Sequence, residues 1–326
     1  ISYAEFSHLG AKGELGKYPI HFHMPGDTMR GSFVKGASIR DSGNRFITVH
    51  SIQYVSLSYN VGYNAVGHGF FFEIGDEVYV TLDHNLGILV TRGNILPTDM
   101  RPAVFWIQNP INTLTNNIAV SSQEGSGFEF AIPPGQKRIA ALGGSVNLRK
   151  LPLLKFEDNE AHSNRKFGVR AYHFSTQLFD VSELTGLKVW RNRERGLWLE
   201  GHRMRIPQSV LFGNGEINVS ISGNGNVLQD LKIMGELRSV QGHDQMVYPV
   251  TTRGIVLHKG KNNTISRVRL EGHESVGGVM GSDISLGQDR KLPVTALVSD
   301  TIMASSRPIV FGYPLHEESM LEVRDL

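Results

Sequence analysis

"VSLSYNVGYNAVGHGFFFE", residues 55–73, alternates apolar with small or polar positions, breaks at Asn60, and resumes its alternation before a glycine. Alternation at period two is the signature of a β-strand, whose successive side chains point to opposite faces. The same grammar returns in "LLKFEDNEAHSNRKFGVRAY" (153–172), "LKVWRNRERGLWLEG" (187–201), "SVLFGNGEINVSISG" (209–223) and "GIVLHKGKNNTISRVRLEG" (254–272). Asn60, Asn159, Asn192 and Asn214 each follow an apolar run. Asparagine tolerates left-handed backbone conformations and caps turns with its side-chain amide. Repeats of roughly 20 to 25 residues, β-rich and without helical periodicity between them, predict the coils of a solenoid. The expected architecture is all-β, a right-handed parallel β-helix with projecting loops, each coil burying its inward side chains on its neighbours. An antiparallel sandwich would favour two-residue Asn-Gly hairpins; "GNGE" and "GNGN" fit that pattern, but most connections are longer.

Composition agrees with a folded chain. Of 326 residues, 40% are hydrophobic and 20% charged. The 36 glycines exceed the usual share of about 7% and point to many turns. The stretches "LPTDMRPAVFW" (96–106) and "AIPPGQKRIAALGG" (131–144) read as loops leaving the coils, and with no Pro- or Ser-rich linker the chain reads as one domain over 1–326. No apolar run approaches the about 20 residues that span a bilayer. The opening "ISYAEFSHLG" is expected of a processed or excised piece. Cysteine is absent, which excludes disulfides, thiolate metal sites and a Cys nucleophile. A formal charge of +2 argues against nucleic acid as the partner.

Chemistry concentrates in histidines. In "KYPIHFHMPGD" (17–27), an inward Ile20, Phe22 and Met24 would send His21 and His23 outward together, half of a metal site. In "RFITVHSI" (45–52), inward Ile47 and Val49 put His50 in the outward phase with Phe46 and Thr48. His68 lies between two glycines in "AVGHGFFFEIGDE" (65–77), a setting expected to leave it uncrowded as a ligand or proton-transfer group, with Glu73 and Asp76 following. "TLDHN" adds Asp83 and His84. Rungs stack about 4.8 Å apart in a solenoid, so His21, His23, His50 and His68 are expected to converge beside Glu73. Such a cluster suits a zinc-like transition metal. The bland alternative for each imidazole is a backbone hydrogen bond or solvent.

Two further groups suit saccharides. "EDNEAHSNRKFG" (157–168) gathers Glu157, Asp158, Glu160, His162, Asn164 and Arg165 around one turn, a mixture fit for sugar hydroxyls or calcium. "VWRNRERGLWLEGHRMR" (189–205) interleaves Trp190 and Trp198 with Arg191, Arg193, Arg195, Arg203 and Arg205. Guanidinium forks grip carboxylates and indoles pack on sugar rings, so an acidic polysaccharide is the expected partner. An ordinary solvated face is the alternative for both. Asn218 in "NVS" and Asn262 in "NNT" fit the N-glycosylation pattern.

The segments "GKYPIHFHMPGD" (16–27), "GSFVKGASIRDSGNRFITVHSI" (31–52), "VGYNAVGHGFFFEIGDE" (61–77), "LDHNLGILVTRGNILPTD" (82–99) and "NEAHSNRKFGVR" (159–170) resemble, in order, the β-helix region of the cell-migration-inducing and transmembrane hyaluronidases. The fibrocystin-like proteins share this G8-plus-β-helix organisation. The resemblance implies a right-handed β-helix, an extracellular or cell-surface location, calcium dependence, and endo-cleavage of hyaluronan. It carries His21, His23, His50, His68, Glu73, His84 and His162 over as site candidates. Two departures stand out: the G8-like domain that the resemblance places ahead of "ISYAEF" is expected to lie largely outside this sequence, and the cysteines of the animal members are absent from it.

Together these readings predict a secreted or surface enzyme cleaving an acidic, uronate-containing glycan, by hydrolysis or by elimination. Glu73, Asp76, His68 and His162 are the catalytic candidates; His21, His23, His50, His68 and His84 the metal ligands; Trp190, Trp198, Arg191, Arg193, Arg195 and Asn164 the substrate contacts. The rivals are a non-catalytic glycan-binding or adhesion module and a metal-stabilised structural rod.

Overall fold

The structure, a computed structural model, describes residues 1–175, 180–236, 240–241, 247–248, 250–274, 281–287, 292–311 and 316–325. The strands form three long parallel sheets of fifteen, eleven and five strands. Each coil contributes in turn to the sheets, as at Ser38–Ser42, Ile47–Ile52 and Ser56–Ser58. Parallel strands joined this way wind right-handedly, and the chain is a right-handed parallel β-helix. The helices among the described residues are short 3₁₀ turns at Pro97–Met100, Ala140–Leu142 and Leu148–Lys150.

The core is columnar. Phe70, Phe105 and Phe128 stack face to face with centroids 4.7 Å apart, while Val34, Leu57, Leu82, Leu114 and Phe156 stand in register on the five-stranded sheet. These side chains are at most 2% exposed, each worth roughly 1.5–3 kcal/mol of burial.

The asparagines do more than cap turns. Asn60, Asn85, Asn117 and Asn159 form a buried ladder, each Nδ2 donating to the next Oδ1 at 2.9–3.0 Å. Asn164, Asn192, Asn214 and Asn218 form a second. Ile217, before Asn218, lies in a strand, but before the other seven of the eight rungs the residue is left-handed: Tyr59, His84, Asn116, Asp158, Ser163, Arg191 and Gly213 all have φ between +49° and +59°. That conformation costs a non-glycine residue roughly 1–2 kcal/mol. The ladder offsets it, since every rung makes several buried hydrogen bonds of about 1 kcal/mol each. Ladder steps of 25, 32 and 42 residues show where coils accept insertions.

Asn117 donates to Leu82 O and Asn159 Oδ1 and accepts from both the backbone and side-chain nitrogens of Asn85. Asn117→Ala should cost about 3 kcal/mol by orphaning those buried partners, read as a lowered urea midpoint; a shift under a third of that would assign the ladder a minor role. Asn218 is fully buried in the second ladder, which removes it as a glycan acceptor in the folded chain; Asn262 is exposed.

The two expected loops differ from a simple projection. Residues 136–147 fold as an antiparallel hairpin. Residues 97–100 form an exposed 3₁₀ turn from which the Asp99 side chain alone is buried, against Arg45 with Nη1 2.7 Å from Oδ1.

Candidate functional site

In the strand Ile20–Gly26, Ile20 and Phe22 are buried while His21 and His23 point outward. Met24 departs from the expected inward phase: it is 61% exposed with φ +55°, where the register shifts between His23 and Gly26. On the next rung, Ile47 and Val49 face the core. His50 lies directly opposite His23, and Thr48 opposite His21. Phe46, expected outward, precedes the strand and is buried against Phe70. Glu73 follows Phe70–Phe72, and its N–H bonds Val49 O, which sets it one rung beyond His50.

One ligand atom each from His21, His23 and His50 lies within 4.8 Å of the others. Glu73 Oε2 lies 3.7 Å from His21 Nε2 and 3.5 Å from His50 Nδ1. His21 Nδ1 faces Gly16 O at 3.2 Å. A carbonyl can only accept, so Nδ1 carries the proton and Nε2 presents a bare lone pair. His21 Nε2, His50 Nδ1 and Glu73 Oε2 are buried without a hydrogen-bond partner among the described residues. A nitrogen lone pair and a carboxylate oxygen turned toward one another repel unless a cation or proton lies between them. Burial holds the His21 imidazole below its ordinary pKa, helped by the positive charge that His23 and His50 can carry, and so keeps it a neutral donor. His23, exposed, leaves one side open.

Around this cluster, Tyr18 packs edge-on against His21 with ring centroids 4.8 Å apart. Burial, then the Glu73 charge, raises its phenol pKa. Asp76 Oδ2 accepts from Ser51 Oγ at 2.9 Å, next in sequence to His50. Glu77 is buried and accepts from the N–H groups of Ile74 and Gly75, its carboxyl pushed up to about 7 by burial and by Asp76.

His68 does not join. It is fully buried, its Nδ1 accepting from Ala103 N–H at 3.0 Å and its Nε2 facing Thr98 Oγ1 at 3.2 Å. Its ring lies between Phe71 and Trp106. The flanking glycines serve crowding, not openness: a Cβ on Gly67 would sit 1.8 Å from Arg45 Nη1, and one on Gly69 2.4 Å from Val104 O. Burial, then Arg45, holds His68 well below its ordinary pKa. His84 follows a strand of the five-stranded sheet, bonded to Asp83 at 2.8 Å and stacked on Tyr59, away from the eleven-stranded sheet that carries the cluster.

The second expected group divides between sheets. His162 stacks on Trp190 at 3.9 Å, and Trp190 donates to Glu160, all on the fifteen-stranded sheet. Arg191 pairs with Glu236 there at 3.3 Å. Arg195 and Trp198 belong to the eleven-stranded sheet instead, and Arg193 lies in the turn between, its N–H on Asn164 O. Asn164 is a fully buried ladder rung, a placement that withdraws its amide from any sugar.

Further along the histidine face, Trp106, Glu129 and Arg170 occupy the same outward column as His21 and Thr48, residues not singled out from the sequence although the alternation in "GFEF" (127–130) and "GVRAY" (168–172) carries their phase. A cleft of about 700 Å³ follows, lined by Arg149, Lys150, Glu200, His202, Lys259 and Lys261 among others.

Residues 1–169, which hold the histidine cluster, match the family described as CEMIP beta-helix. The chain belongs to that family. Among relatives of the CEMIP β-helix, mouse fibrocystin-L is 29% identical over 293 residues, covering 82% of this chain and 7% of its own length. Human cell surface hyaluronidase CEMIP2 is 34% identical over 294 residues, covering 71% of this chain and 21% of its own. The chain thus spans a small part of these proteins. Tailspike protein 3 of bacteriophage CBA120 superposes with a TM-score of 0.52 at 11% identity, over 98% of this chain and 50% of that one, a likeness of fold.

Proposed function

We propose that this CEMIP β-helix is the glycan-cleaving part of an extracellular or cell-surface protein, acting on a uronate-containing polysaccharide such as hyaluronan at His21, His23, His50 and Glu73. The observation that carries this reading is the convergence of His21 Nε2, His50 Nδ1 and Glu73 Oε2, buried and unpartnered among the described residues, beside the exposed His23. Relatives named as hyaluronidases and the basic cleft along the same sheet support the substrate class.

Three imidazoles and one carboxylate suit a zinc-like ion better than calcium, which takes six to eight oxygens. A divalent ion held by these four residues would supply Lewis acidity toward a substrate oxygen. The protein's own groups do the rest. Gly16 O fixes the tautomer of His21, Ser51 orients Asp76, and Tyr18, its phenol kept protonated, holds a proton beside His21.

Incubation with a panel of acidic and neutral polysaccharides should shorten an acidic one to smaller fragments, by hydrolysis, while leaving the neutral ones intact. Size-exclusion profiles that never change would overturn the enzymatic reading, and an ultraviolet-absorbing unsaturated end on the products would reassign it to elimination.

A further inference from the structure

Trp106, Glu129, Arg170 and Trp198 stand directly opposite one another on four consecutive rungs. With Arg101 and Tyr172 they line an open cleft of about 400 Å³. Glu129, 4% exposed, accepts from Arg170 Nη1 and from Ser126 Oγ, each at 2.8 Å. The Arg170 guanidinium carbon lies 4.3 Å from the Tyr172 ring centre and 4.6 Å from that of Trp198. Two buried donors here, Trp106 Nε1–H and Arg170 Nε–H, have no acceptor among the described residues.

At the rim, Lys166 and Glu194 pair with each other; Arg101 forms no ion pair among the described residues. The cleft thus offers more donors and cations than its two carboxylates satisfy, between aromatic walls. A purely structural ion pair accounts for Glu129 and Arg170, but not for Arg101 or the unpartnered indole. Oxygen-rich, anionic and ring-shaped ligands match this surface.

We propose that the cleft is a subsite for a uronate residue of the glycan, its ring against Trp198 and Tyr172 and its carboxylate on Arg101 and Arg170, with Glu129 taking up the proton that releases Arg170. This deepens the polysaccharide reading and rests on it. Burial pushes the Glu129 carboxyl up to about 7 against the opposing pull of Arg170, the Ser126 hydrogen bond and Arg101; Lys166 and Glu194 are the other charged groups facing the cleft. Uptake near neutral pH is therefore accessible. From His50 to Arg170 is four rungs, about 19 Å at the strand spacing, so one extended polymer reaches both places.

Calorimetric titration of the full chain with a hyaluronan hexasaccharide, in two buffers of different ionisation heat at pH 7, reads affinity and proton uptake together. Trp198→Ala, at a half-buried position whose loss leaves the Glu129–Arg170 ion pair in place, should weaken binding about 10-fold or more, as should reduction of the sugar carboxylates. Glu129→Gln should abolish the proton uptake. Absent binding, equal affinity for Trp198→Ala or for the carboxyl-reduced sugar, or unchanged proton uptake in Glu129→Gln would overturn the subsite. Sizing the sugar after titration keeps the two readings apart: cleft-dependent binding without shortening leaves the subsite standing and cleavage failed, whereas shortening without cleft dependence does the reverse.

Discussion

His50→Ala should lower affinity for a zinc-like ion by at least about 100-fold, more than the 10- to 100-fold typical of losing a residue behind a ligand, and cleavage should fall with it. His50 lies directly opposite His23, with Nδ1 3.5 Å from Glu73 Oε2. It is the member that joins the first rung to the carboxylate on the third. Its ring is outward and not part of the core, so the thermal midpoint of the metal-free protein should barely move. His84→Ala is the matched control: its ring is exposed, on another sheet, bonded to Asp83 and stacked on Tyr59. Competition against a chelator of known affinity measures both. Equal metal affinity in wild type and His50→Ala would remove His50 from the site, and a loss in His84→Ala would point to a different centre.

The largest cost to the fold should come from Asp99→Ala. Arg45 and Asp99 pair at 2.7 Å with both side chains fully buried, and the Arg45 guanidinium also lies 4.4 Å from the Phe71 ring centre. Removing the carboxylate strands a buried cation, a loss of about 3–5 kcal/mol. Asp99 Oδ2 also accepts from Leu96 N–H at 2.9 Å, closing the 3₁₀ turn. Asp99→Asn keeps much of that hydrogen bonding but not the charge, and should fall between. Urea unfolding followed by tryptophan fluorescence reports both, and a cost under about 1 kcal/mol for Asp99→Ala would mean that Arg45 reaches water when its partner goes.

The strands were legible because each coil repeats one alternation, and a solenoid turns repetition along the chain into adjacency in space. That logic extends to His21, His23 and His50, whose phases follow from buried neighbours on their own strands. It fails for His68, because a glycine on either side signals equally an open residue and a tightly packed one; Val104 O, 35 residues away in chain order, decides for packing. Trp190 and Trp198 looked like one platform, yet the ladder residue Asn192 marks a corner between them and sends them to different sheets. Asparagine after an apolar run points to a turn, whereas at Asn60, Asn159, Asn192 and Asn214 the left-handed residue is the preceding one and the asparagine itself is a ladder rung. Glu129 gave no signal by itself, since only the register of four coils brings Trp106, Arg170 and Trp198 to it.

Elemental analysis of the chain, purified without added ions, bears most directly on the histidine cluster. The prediction is about one equivalent of a zinc-like transition metal per chain in the wild type, and less than a tenth of that in His50→Ala. A wild-type protein that takes up no transition metal even when one is supplied, or a variant that carries as much as the wild type, would contradict it.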